Sequence, residues 1–282
     1  MQMKTKIPEE LASQVSQTKW GKILLATPVV MTVIATLLAG LASSEMTRAQ
    51  YDRALGAQLQ SKAGDQWGYF QAKKLRGALQ RNSYELLTAT TDIRPVVNPA
   101  LDKIPVPAAP LMDSKVEAAL QAIDKQQPET EIAGLLKSVD DNSLAAALQA
   151  AKDRALAFDA ALAPAGQALD QLEKSLPAGD KAAARDLIAT RMHYTAARYD
   201  AEASLNQSIA NLYELQVRKA NISAERHHRR SGKFFFGMLA AQAAVIVSTF
   251  AIAAQKRSFL WTLAAVAGLA AVIFAIYVYL RV

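Results

Sequence analysis

Residues able to do chemistry are scarce in this sequence. Its 282 residues include no cysteine and only three histidines, so composition alone excludes disulfides, thiolate metal sites and cysteine nucleophiles. Two of the histidines stand side by side in Glu225-Arg226-His227-His228-Arg229-Arg230, with Lys233 close behind. A metal centre needs three or four converging ligands, whereas adjacent helical residues diverge by about 100°. Glu225 does not complete such a set. Arg226, His227, His228, Arg229, Arg230 and Lys233 read instead as a band that meets anionic lipid headgroups. His193, beside Met192, reads as a solvated or core residue of a long helix. No acid–base pair, nucleophile constellation or phosphate-binding loop is found. The sequence therefore predicts no catalytic residue, no cofactor and no metal site, and the chain reads as a non-enzyme.

The densest group of specific side chains lies elsewhere, in Asp65, Gln66, Trp67, Tyr69, Phe70 and Gln71. Aromatic residues anchor interfaces, so this group is a candidate surface for a partner or a second copy. Helix packing is the competing role. In that reading Trp67 and Phe70 face a core, and Asp65 and Gln71 are solvated or make a buried hydrogen bond.

Both groups must be held by the surrounding elements, and hydropathy defines those first. Three stretches carry no charged residue: 23–42, 234–254 and 259–280. A bilayer core of roughly 30 Å needs about 20 apolar residues in a helix, so three transmembrane helices are predicted. The last two are joined by Gln255, Lys256, Arg257 and Ser258 alone, which makes them an antiparallel hairpin. Small residues recur four apart at Gly237/Ala241 and Ala264/Gly268, a spacing that lets helix backbones approach closely. Gln242, Ser248, Thr249 and Thr262 are expected to hydrogen-bond between helices. No ionisable residue lies inside the three segments, so no ion path or proton relay is indicated within one chain.

Charge supports the same division. The chain carries a formal +7, yet residues 45–217 are net −3, while 1–22 carry +2 and 218–233 carry +5. The basic excess thus flanks the apolar segments, where lipid headgroups lie, and a nucleic-acid partner is not expected. The N-terminal tail (1–22) and the loop 255–258 lie on one side, and both are basic. By the positive-inside rule for short loops they are cytoplasmic, which leaves residues 43–233 outside. A count of every flanking Lys and Arg favours the reverse; the short loops are followed here. Trp20 and Trp261 then share one interface, Tyr277 and Tyr279 the other. The expected location is the inner (cytoplasmic) membrane of a bacterium.

Residues 43–233 read as helical throughout, and the fold class is all-α. Leu55, Leu59, Ala63, Trp67 and Phe70, then Leu75, Leu79 and Leu86, form one stripe; Ile188, Met192, Ala196, Tyr199, Ala203, Leu205, Ile209 and Leu212 form another. Residues 92–113 hold Pro95, Pro99, Pro105, Pro107 and Pro110 and cannot be helical. Short helices are predicted at about 114–126, 128–139 and 142–175, the last broken near Pro164 and capped by Asn142 or Ser143. The first and last long helices are predicted to run unbroken out of the membrane. About 45 residues each would give antiparallel, coiled-coil-like rods of roughly 65–70 Å.

The run Gly64-Asp65-Gln66-Trp67-Gly68-Tyr69-Phe70-Gln71-Ala72-Lys73 resembles the signature of a bacterial membrane-protein family of unknown function. The order of elements is similar too: one membrane helix, a helical middle, then a hairpin with a basic turn, here Lys256-Arg257-Ser258-Phe259-Leu260-Trp261. The middle region here is longer, and the proline-rich segment has no counterpart. The resemblance implies architecture and brings no activity. On these readings the chain is a non-enzymatic membrane scaffold or accessory subunit acting through helix association, as a homo-oligomer or with another membrane protein complex. A transporter or channel component, or a membrane-anchored sensor, is the alternative.

Overall fold

The computed structural model describes residues 19–253 and 259–281, with side chains for 26–252, 259 and 262–278. The N-terminal tail up to residue 18 and the 255–258 loop lie outside the described residues, as do the side chains of Trp20, Trp261 and Tyr279. Among the described residues every regular element is an α-helix: α1 (Lys19–Thr90), α2 (Ser114–Asp124), α3 (Glu129–Leu136), α4 (Asp141–Ala161), α5 (Ala163–Lys174), α6 (Lys181–Ala253) and α7 (Phe259–Arg281). The expected continuity is present, with α1 running 72 residues and α6 running 73 without a break. Pro28 is accommodated near the start of α1, where a missing backbone donor costs least.

The local signals act as their chemistry dictates. Pro128 precedes α3, whose first turn holds Glu129 and Glu131 against the positive end of the helix. The cap of α4 is Asp140 rather than Asn142 or Ser143: its carboxylate accepts from both of their backbone N–H groups, at 3.0 and 3.3 Å. The break near Pro164 falls at Leu162, between α4 and α5. Gly179 has φ of 88°, a left-handed turn that a side chain would resist. Asp180 then caps α6 through the N–H groups of Ala182 and Ala183.

The chain forms two compact units. One comprises residues 54–221. Its core gathers Phe158, Leu162, Ala165, Leu169, Leu187, Tyr194 and Leu205, with Leu101 and Ile104 of the proline-rich segment packed against them. That segment is extended, as predicted, and is tied down by Thr190 accepting from the N–H of Val96 at 3.0 Å. Arg154 adds a bond to the Pro107 carbonyl at 2.9 Å. Three short helices are fastened to α6 at their ends: Asp124 accepts from Asn211, Glu129 pairs with Arg218, and Asp141 pairs with Lys219.

Within this unit the predicted stripe on α1 needs correction. Leu75, Leu79 and Leu86 are 64%, 56% and 67% exposed. The buried line is Gly56, Ala63 and Gly77. Residues 54–90 of α1 are buried along one narrow line only, and small residues let the two helix backbones come close. A β-carbon on Gly77 would already lie 3.4 Å from Tyr199 Cβ and 3.5 Å from the Ala196 carbonyl oxygen. On α6, Ile188 is likewise exposed, whereas Ala196, Ala203, Leu205, Ile209 and Leu212 are buried.

The other unit comprises residues up to 53 and from 222 onward, and brings together the apolar parts of α1, α6 and α7. Leu38, Ala42, Phe234 and Val278 form one cluster, and Ala35, Ala241 and Ala271 a second. Among the described residues two helices are long and apolar enough to cross a membrane, Ala26–Thr90 and Lys181–Ile252, rather than the three expected. The third expected segment is α7, a helix of 23 residues whose described apolar stretch is Thr262–Val278.

Candidate functional site

A seven-residue repeat organises the pairing of α1 with α6. In sequence it reads Ala35, Ala42, Ala49, Gly56, Ala63, Phe70, Gly77 on α1 and Ala189, Ala196, Ala203, Ala210, Val217, Ala224, Ser231 on α6. All of these are buried except Phe70, which is half-buried. A period of seven keeps one helix face on its neighbour, and small residues at that period allow close approach.

In the 54–221 unit the cluster around Trp67 belongs to this seam. Trp67 Nε1 donates to Glu214 Oε1 at 2.6 Å, and its ring meets Phe70 edge-on at 5.4 Å. Lys73 forms an ion pair with Glu202 and lies over the Tyr199 ring at 5.1 Å. Arg198 donates to the same buried carboxylate at 2.6 Å. Burial alone would lower the Arg198 pKa, but the hydrogen bond and charge of Glu202 hold it above its ordinary value. Burial pushes the Tyr194 hydroxyl upward, partly offset by Arg198. Further along, Arg81 and Lys74 share Asp200, and Tyr84 stacks at a tilt on His193. Partner numbers fall on α6 as they rise on α1, so the two segments run antiparallel.

The six interface candidates therefore divide. Trp67 and Phe70 turn toward α6 and are half-buried; Gln66 does too, with its Oε1 buried and lacking a partner among the described residues. Asp65, Tyr69 and Gln71 are exposed. The sequence reading missed Lys73, Glu202 and Glu214, although Lys73 closes the quoted motif. The acids lie more than 120 residues away, at positions that only the antiparallel register supplies.

In the other unit the basic band also divides. His227 turns inward: its Nδ1 lies 2.6 Å from Glu45 Oε2 and its Nε2 4.0 Å from Asp52 Oδ2, three largely buried side chains. Among the described residues no group of His, Asp and Glu has the arrangement to hold a metal ion. Arg226, His228 and Arg229 are exposed, while Arg230 and Lys233 are half-buried. Arg229 donates to Glu225 at 2.7 Å and holds that carboxyl below its ordinary range. Lys233 Nζ lies 6.0 Å from the Tyr277 ring centroid.

The predicted small-residue positions all face inward. Gly237, Ala241, Ala264 and Gly268 are buried. A β-carbon on Gly237 would lie 3.4 Å from Leu38 and 3.8 Å from Phe274, and one on Gly268 would collide with Met31. Ser231 Oγ donates to the Ala42 carbonyl at 2.7 Å. Ser248 and Thr249, expected to bond between helices, donate to the Val245 carbonyl of their own helix at 2.9 and 2.8 Å. Gln242 points outward and is exposed.

A family model for a domain of unknown function, DUF4337, matches residues 22–170, more than half of the chain. The chain belongs to the DUF4337 family. The DUF4337 match runs from the start of α1 into α5, and includes the whole Asp65–Lys73 run; α6 and α7 lie beyond it. Membership in an uncharacterised family agrees with the resemblance drawn from the sequence. No curated protein and no solved structure matches the chain.

Proposed function

We propose that this DUF4337 protein is a non-enzymatic integral membrane scaffold or accessory subunit of a bacterial inner membrane, working through helix–helix association. The carrying observation is the inverted packing of the unit formed by residues up to 53 and from 222 onward. Its interior is mostly small, Ala35, Ala42, Ala241, Ala244, Ser248, Ala264 and Ala271 beside the larger Leu38, Phe234 and Val278, while Val29, Leu37, Phe236, Ile246, Phe250 and Leu269 face outward. A soluble protein would not expose so much contiguous apolar surface. A lipid-embedded bundle is built this way, because helices there associate through small residues rather than by burying large ones. The hydroxyls of Thr32, Thr36 and Thr249, exposed on this surface, are satisfied by carbonyls one turn back on their own helices, which lipid requires.

In this reading α7 is the third crossing, its 23 residues being enough to span a bilayer core of roughly 30 Å. The N-terminus and the 255–258 loop are cytoplasmic, and residues 43–233 are periplasmic. Arg226, His228, Arg229, Arg230 and Lys233 meet anionic headgroups, whereas His227 is committed to Glu45 and Asp52. The Trp67–Glu214 and Lys73–Glu202 contacts fix the register of the helical domain, leaving Asp65, Tyr69 and Gln71 free for a partner. Each strong contact of the seam joins one helix to another, an arrangement suited to holding shape. Native mass spectrometry of gently solubilised protein tests the proposal. A defined multiple of 30.4 kDa, or a stoichiometric complex with another membrane protein, is the expected result; a bare monomer contradicts it.

A further inference from the structure

We infer that α1 carries a second coiled-coil seam, on the face opposite α6, and that its partner is the same face of a second copy of this chain. The inference rests on the oligomeric reading above and specifies which surface makes the contact. Ala72, Leu75, Leu79, Asn82, Leu86 and Ala89 follow alternating steps of three and four residues, the spacing of a two-helix seam. All six are exposed, including three leucines more than half exposed in the single chain. Neither end of the pattern coincides with the α6 seam. Glu45, Asp52, Leu59, Gln66, Lys73 and Gln80, the residues that fill out that first seam, occupy a different line of the helix.

Three features select a second copy and a parallel arrangement. First, the seam belongs to the helix that contains the first apolar segment, Lys19–Thr90. Two copies inserted in one bilayer with the same topology cross it in the same N-to-C direction, so their α1 helices meet parallel. Second, a parallel in-register pair places each layer against itself. Asn82, at a d position of this pattern, then meets Asn82, and only an in-register pair lets the two buried amides satisfy one another. Third, the flanking charges are compatible. Arg76 falls opposite Gln71 and Glu85 opposite Thr90, so no like charges meet. Among the described residues neither Arg76 nor Glu85 has an ion-pair partner within its own chain. Asp65, one heptad before Ala72, would meet its copy, which ends the seam near Gly68. About three heptads form a short interface for a soluble dimer, but shared anchorage in one membrane raises the effective concentration.

The absence of native cysteine makes disulfide crosslinking in native membranes a direct test. Leu79→Cys and Leu86→Cys in the full chain should each give a covalent dimer on mild oxidation. Lys74→Cys, on the flank toward α6, should give at least tenfold less. All three positions are exposed, so the fold tolerates the changes. Silence at positions 79 and 86, with native mass spectrometry still reporting a homo-oligomer, would overturn this seam and leave the scaffold reading standing. Dimers from Leu79→Cys with Leu86→Cys silent would overturn the parallel register. Equal crosslinking at all three positions would reduce the contact to collision and overturn the seam as well. Silence together with a monomeric mass would remove both proposals.

Discussion

The same helix pair is used in both compact units, but what fills its seam differs. In the unit of residues up to 53 and from 222 onward, the meeting side chains are Ala35, Leu38, Ala42, Gly237 and Ala241, closed by Ala271 and Val278 of α7. In the 54–221 unit, glycine and alanine at one heptad position alternate with Trp67–Glu214 and Lys73–Glu202 at neighbouring ones. On the proposed membrane reading, water explains the contrast. Where the surroundings are aqueous, burial of large side chains drives packing, and ion pairs can be solvated at one edge while fixing register. Where the surroundings are lipid, burying a leucine gains nothing, so helices associate through close fit and satisfied hydroxyls. One seven-residue spacing serves both because it sets which residues face the neighbour, not what they are.

If the contrast is right, the largest effect should come from a core truncation in the 54–221 unit. Phe158→Ala removes one of the largest fully buried side chains and should cost about 3–5 kcal/mol. Hydrogen exchange should show faster opening across α4 and α5 with residues 26–52 unaffected; equal acceleration in both regions would merge the two units into one. Glu202→Ala comes next. It strands Lys73 and Arg198 beside a buried gap, and a loss near 3 kcal/mol is expected, reduced by the partial exposure of both cations. Urea midpoints should reveal it, and Glu202→Gln should recover part.

Gly237→Leu tests the other unit. The new side chain must displace Leu38 and Phe274, at an expected cost of about 1–3 kcal/mol. Gly40→Leu, on α1 with nothing within 4 Å of its position, should be neutral. Melting in one detergent compares the two; equal destabilisation would mean that Gly237 is not a packing position. The smallest effect belongs to Glu225. Its carboxyl is held below its ordinary value chiefly by the Arg229 hydrogen bond, so its contribution is present above the ordinary carboxylate range. It is lost as pH falls through the lowered folded value. The solvent-exposed pair should contribute little, and melts of Glu225→Gln and the parent should converge only at acid pH.

Hydropathy and proline placement made most of the fold legible in advance. The long helices, the extended 92–113 segment and the break near Pro164 follow from local chemistry, as do the inward-facing Gly237, Ala241, Ala264 and Gly268. The seam of the 54–221 unit runs against expectation because large apolar residues are not the buried ones. Leu75, Leu79 and Leu86 are conspicuous, yet the seven-residue repeat of Gly56, Ala63 and Gly77 was equally visible and marks a close helix approach. His227 could not be placed from its neighbours, since Glu45 and Asp52 lie on another helix far away in sequence. The partners of Trp67 and Lys73 were hidden for the same reason.

Single cysteines at Ser61 and Ser258, labelled with a membrane-impermeant reagent on sealed vesicles of each orientation, test the membrane scaffold most directly. The account predicts that the two positions label from opposite sides. Labelling of both from one side, or of both regardless of orientation, would contradict a chain anchored by three crossings.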